Sequence, residues 1–157
     1  MTRCIPVSGK FTDRQKEIYN AVLRVKNAAA KMLVPGNDWT EYHVEVGKLM
    51  TEELLKLKLI TQEEVDKEDP DWPAYKKYFM HGTSHHMGLD THDYGILTEP
   101  MQAGMVFTVE PGIYLPEENL GIRLEDDYLI QEKGEPINLM KNIPIEIEEI
   151  ESWMAGS

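Results

Sequence analysis

Cysteine is almost absent: Cys4 is the only one in 157 residues. That excludes an internal disulfide framework and leans toward a reducing, cytoplasmic setting, although a lone thiol serves equally well as a small buried apolar group. No apolar run approaches the roughly 20 residues of a membrane-spanning helix, and the N-terminus lacks the pattern of a secretory leader. Basic residues are the minority, with 16 Lys and Arg against 28 Asp and Glu and a net charge of −12. This balance sets aside nucleic acid and anionic membrane as partners and favours cations. Internal repeats, low-complexity tracts and linker-like stretches are also missing, so one domain is expected.

What is present divides into two textures. Thr12 with Gln15 has the form of a capping box, and Ile18, Val22, Val25, Ala29, Met32 and Leu33 recur at helical spacing, predicting a helix from Asp13 to Val34 that Pro35 and Gly36 stop. Thr40 is the expected cap of a second helix with Val44, Leu49, Met50, Leu54 and Leu57 on its apolar face. Thr61 with Glu64 repeats the capping signal before a short acidic helix, and Pro70 and Pro73 break the pattern. From His81 onward, frequent glycines separate runs rich in Val, Ile, Phe and Tyr. Strands are expected at Met105–Val109, Gly121–Leu124, Tyr128–Gln131 and Ile137–Leu139, with Pro144 opening a terminal helix that ends near Trp153. Helices first and antiparallel strands later give an α+β architecture.

Four of the five histidines fall within His81-Gly-Thr-Ser-His85-His86-Met-Gly-Leu-Asp-Thr-His92. Such density suits a metal or acid–base site, against the plainer reading of polar loop histidines. The helical His-Glu-x-x-His arrangement is absent, and Gly82 and Gly88 place the cluster on a loop or strand end. In Val106-Phe-Thr-Val-Glu110-Pro-Gly112 a carboxylate ends an apolar strand, where either a cation neutralises it or solvent does. In Gly121-Ile-Arg123-Leu-Glu125-Asp126-Asp127 the two-residue period puts Arg123 and Glu125 on one face, as a surface ion pair or as part of a site. Together, imidazole and carboxylates make a mixed nitrogen and oxygen set suited to manganese, cobalt, zinc or iron. One His and two Glu are too few to hold two metals.

These three segments, in this order and spacing, resemble the aminopeptidase P and prolidase branch of the pita-bread metallopeptidases, over essentially the whole chain. The resemblance implies a pita-bread fold of helices packed on a curved, mostly antiparallel sheet. It also implies removal of an N-terminal residue preceding proline through a hydroxide bridging two divalent metals, manganese first and cobalt or zinc as alternatives. His85 and Glu110 would bind one metal and Glu125 would bridge both. His81 and His92 would hold the substrate and stabilise its developing charge, Glu110 would also shuttle protons, and Arg123 would orient Glu125. Ser84 tilts the resemblance toward aminopeptidase P, with prolidase as the alternative. Met87 and Thr91 depart from the family's aliphatic residues, and His86 and His43 match no ligand position. A non-catalytic pita-bread module that binds a partner is the reading from another class.

The family's other two ligands are aspartates lying upstream of a segment like Met1–Thr12. Residues 1–157 are therefore expected to be the C-terminal portion of a catalytic domain, without those strands or an N-terminal domain. Alone, such a portion is expected to be inactive, to hold metal weakly or not at all, and to leave a sheet edge through which it self-associates.

Overall fold

A computed structural model describes residues 1–96 and 98–156. Helix α1 (Asp13–Lys31) starts where the capping box requires, with the Thr12 hydroxyl accepting from the Gln15 amide and the Gln15 side chain accepting from the Thr12 amide. It ends three residues before the expected Val34, because the residue preceding Pro35 is driven out of the helical region and Gly36 turns the chain at φ +92°. The Asn37 side-chain amide then donates to the Met32 carbonyl beyond the last turn. Ile18, Val22, Val25 and Ala29 are buried, each large aliphatic contributing about 1.5–3 kcal/mol.

Helix α2 (Trp39–Lys56) is capped by Asp38 rather than Thr40: one Asp38 oxygen accepts from the amides of both Thr40 and Glu41. Its buried stripe is Tyr42, Val46, Met50 and Leu54. That i+4 series turns Val44, expected in the core, to the opposite face, where it is exposed. Helix α3 (Gln62–Asp66) keeps the Thr61–Glu64 capping box, and a 3-10 turn at Ala74–Lys77 follows Pro73. Among the described residues no helix is long and apolar enough to cross a membrane.

The strands are β1 (Val106–Val109), β2 (Gly112–Leu115), β3 (Leu120–Arg123), β4 (Asp126–Leu129) and β5 (Ile137–Asn138), followed by α4 (Ile147–Met154). Pro144 lies outside α4, whose N-cap is Glu146. The β2 strand was not expected, since Pro111-Gly112 reads as a turn. It is instead a short break in a longer hairpin. β1 pairs with β4 and β2 with β3, both antiparallel and both in one continuous register, so that the pair falling at the break is Glu110 opposite Glu125. β5 adds to β4. Helix α1 packs across β1, β2 and β3 on one side and α2 on the other.

The outer edge of β1 is not open. Residues 83–87 lie along it: the Glu110, Thr108 and Met87 amides donate to the Thr83, His85 and Val106 carbonyls, respectively. The unpaired edge expected from the sequence is thus closed on the β1 side by the same segment that carries the histidines.

Candidate metal centre

The hairpin break and the edge segment bring together three of the residues singled out above. One donor atom each from His85, Glu110 and Glu125 lie within 4.8 Å of one another, all three side chains being half-buried. His85 Nε2 is 3.3 Å from a Glu110 oxygen. Its other nitrogen, Nδ1, is 2.9 Å from the His86 carbonyl and must donate to it. That contact makes Nδ1 the donor, so that in the neutral ring the Nε2 lone pair is directed at the carboxylates, the arrangement that metal-ligating histidines adopt.

Glu125 is held by a residue that its sequence neighbourhood does not reveal. Thr2 and Glu125 exchange both backbone hydrogen bonds, at 3.1 and 3.0 Å, and the Thr2 hydroxyl donates to the Glu125 carboxylate. The Met1 ammonium stands 3.4 Å from Glu125 and 3.7 Å from Asp127. Asp127, two residues along and on the same face as Glu125, was not anticipated as part of this group. Burial pushes its carboxyl pKa up, with Glu125 and Asp126 adding to the effect against the pull of the terminal ammonium. One Asp127 oxygen and the Thr83 hydroxyl are buried without a hydrogen-bond partner among the described residues.

The flanking histidines are placed differently from one another. The exposed His92 ring meets His85 edge to face with centroids 4.5 Å apart. His81 lies against Phe79, its Nδ1 donating to the Gly82 carbonyl at 2.8 Å, which makes Nε2 the acceptor of the Tyr114 hydroxyl at 2.7 Å. Tyr114 sits on β2, the unexpected strand, fitting a notch made by Gly112 and Gly121, where a methyl group would meet its ring. Burial raises the Tyr114 pKa while the adjacent Arg123 opposes it. Arg123 thus stands beside Tyr114, and no salt bridge joins it to Glu125 among the described residues.

His86 is packed rather than presented. Its ring stacks on Trp39 and meets Phe107 at a tilt, burial lowers its pKa, and a methyl group on Gly95 would fall 1.9 Å from it. His43 lies apart, its pKa lowered by burial and then by Lys76.

Behind Glu125, strand alternation turns Asp126 into the core, where a lone carboxylate is costly. Burial pushes its pKa up, but Lys26 and Arg3 outweigh burial and hold it below the ordinary aspartate range. Lys26 is buried in the middle of the α1 stripe, in register with Val22 and Ala29, a signal the apolar spacing itself carried.

An imidazole nitrogen and two carboxylates converging at this range, beside an orphaned buried oxygen, fit a divalent cation with nitrogen and oxygen ligands. The comparisons agree. The model of metallopeptidase family M24 matches residues 1–132. The Xaa-Pro aminopeptidase of Haemophilus influenzae is 39% identical over 170 residues, taking in 98% of this chain and 38% of that protein. That of Escherichia coli K12 is 38% identical over 169 residues, taking in 100% of this chain and 38% of that protein. Among solved structures, zinc-substituted E. coli aminopeptidase P in complex with product superposes with a TM-score of 0.84 at 37% identity, over 98% of this chain and 37% of that one. The chain therefore has the architecture of part of the pita-bread fold and spans well under half the length of these relatives. By the family match and these identities, it belongs to metallopeptidase family M24.

Proposed function

We propose that these residues form the metal-binding portion of a Xaa-Pro aminopeptidase, an enzyme that removes the N-terminal residue preceding a proline. The observation that carries this reading is the convergence of His85, Glu110 and Glu125 within 4.8 Å. The names of the similar proteins supply the substrate class. Divalent cations, manganese before cobalt or zinc, would supply Lewis-acid chemistry that activates water and polarises a carbonyl. Three donors do not suffice for two ions, so the reading calls for two aspartates from a segment upstream of Met1. A lone Cys4 and the acidic balance favour the cytoplasm.

The chain's own residues divide the remaining work. Glu110 takes a proton from the attacking water and returns it to the departing proline nitrogen. His92, exposed beside His85, donates to the carbonyl oxygen as negative charge develops there. His81 does the same only after its Nδ1–H leaves the Gly82 carbonyl, since its Nε2 accepts from the Tyr114 hydroxyl and has no proton to give. Arg123 acts on the site through Tyr114.

The test is hydrolysis of Xaa-Pro peptides with added Mn²⁺, comparing residues 1–157 with a form extended upstream through both aspartates. Turnover by the extended form alone supports the reading. Turnover restricted to dipeptides replaces it with prolidase activity, and Mn²⁺ uptake without turnover by either form leaves a non-catalytic module.

A further inference from the structure

Lys26 is 1% exposed and its ammonium lies 2.5 Å from Asp126. A pair buried this deeply is a poor device for stability. Desolvation of the two charges roughly cancels their attraction, and apolar residues of the same volume often serve as well or better. The position of the pair is more informative, since Asp126 directly follows Glu125.

The hydrogen bonds run from helix α1 to the Glu125 backbone without a gap. One Asp126 oxygen accepts from Lys26 and, at 3.0 Å, from the Asn138 amide. The other accepts from Arg3 at 2.6 Å. Arg3 then donates to the carbonyls of Thr2 at 3.0 Å, Glu125 at 2.9 Å and Pro144 at 2.8 Å. Thr2 closes the circuit, pairing with the Glu125 backbone in both directions and donating its hydroxyl to the Glu125 carboxylate. The Tyr128 hydroxyl, 3.1 Å from the Lys26 nitrogen, braces it from the next residue on that face of β4.

We infer that Lys26 is a positioning residue for the metal site: it ties Asp126 to α1 and, through Arg3 and Thr2, sets the direction of the Glu125 carboxylate. The metal arm of its test rests on the metal centre under Proposed function, and the structural arm does not. Side-chain order at metal ligands is commonly imposed by such outer contacts, whose loss weakens binding about 10–100-fold. Lys26 differs from ordinary outer contacts in acting from a helix on the far side of the sheet.

The experiment compares amide hydrogen exchange in the full chain and in Lys26→Met, Asp126→Asn and the double variant. Lys26→Met removes the charge while keeping the length and volume of the side chain. The Glu125 and Thr2 amides are expected to exchange about 10-fold faster in Lys26→Met, with the β2–β3 ladder unchanged, because local opening there does not need global unfolding. The double variant should be no worse than Asp126→Asn, as coupled residues are not additive. In the form extended upstream through both aspartates, Mn²⁺ affinity by calorimetry should fall about 10-fold alongside. Should Lys26→Met fail to fold, Lys26→Gln, which keeps a donor without the charge, takes its place and is expected to show the same local loss. Glu125 and Thr2 exchanging in step with the β2–β3 ladder, whether faster or unchanged, overturns the inference. A chain extended upstream through both aspartates that takes up no Mn²⁺ overturns the metal-site reading instead, and the exchange comparison still decides the role of Lys26.

Discussion

Glu110 and Glu125 stand opposite each other in one continuous register, at the point where the long hairpin breaks between β1 and β2 and between β3 and β4. Like charges directly opposite on a sheet are destabilising by roughly 0.2–1 kcal/mol, and Asp127 adds a third carboxylate on the same face. A hairpin that placed these groups only for stability would not choose this pairing. A cation at the proposed site, beside His85, would offset the repulsion.

Glu125→Gln therefore has effects of opposite sign. Without added metal, its Tm is expected to rise slightly, by the equivalent of about 0.5 kcal/mol. With Mn²⁺ at 100 times the dissociation constant, the wild-type chain gains about 2.7 kcal/mol and the variant gains little. Thermal unfolding with and without Mn²⁺ reads both, and a parallel rise in Tm for the two proteins would argue against Glu125 as a ligand.

The contact between α1 and α2 carries a pH dependence. Glu53, on α2, accepts from Arg24 at 2.5 Å and from Lys56 at 2.9 Å. Burial pushes its pKa up, but the hydrogen bonds and charges of those two cations outweigh it and leave the pKa below the ordinary 4.5. A depressed carboxylate pKa contributes stability above the unfolded value and loses it as pH falls through the folded one. The Tm advantage of wild type over Glu53→Gln should accordingly be full at pH 7 and shrink below about pH 4.5. An advantage that persists unchanged to pH 3 would dismiss the pair as a contributor.

Gly95→Ala tests the packing of His86. The added methyl group falls 1.9 Å from a ring that Trp39 and Phe107 already hold, so the ring cannot swing aside cheaply. Overpacking of this kind costs about 1–3 kcal/mol. Because His85 donates to the His86 carbonyl, Mn²⁺ binding should weaken as well. A variant as stable as wild type would show that the loop relaxes around the methyl group.

Tyr114→Phe removes the hydroxyl that donates to His81. Loss of one such hydrogen bond costs about 1 kcal/mol, while the ring keeps its place between Gly112 and Gly121. Thermal unfolding is expected to show that loss as a lower Tm for the variant, and a Tm equal to wild type would show that the His81 contact contributes nothing to stability.

The helices were legible because their signals are local: capping boxes at Thr12 and Thr61 and apolar series at 3.6-residue spacing need nothing beyond neighbouring residues. Boundaries failed where neighbours compete, as at Val34 beside Pro35 and at Thr40 beside the stronger cap Asp38. The three residues that converge in the candidate site were singled out by a clustered histidine and two carboxylates set in strand-like runs. Strand β2 was not, because Pro111-Gly112 signals a turn in isolation and becomes a mere break only when β3 extends the pairing. With β2 went Tyr114 and the register that sets Glu110 against Glu125. Thr2 and Asp126 depend on contacts between residues 100 or more positions apart in the chain, which no local pattern encodes.

Trp39 ties the first residue of α2 to Phe107 on β1 and to His86, next to a proposed ligand. The other two tryptophans, Trp72 and Trp153, are 58% and 73% exposed. Trp39 therefore provides an intrinsic optical reporter of the site: its emission should sit to the blue of the other two and shift red when α2 parts from the histidine segment, so local opening of the candidate metal centre can be followed by light without any added label.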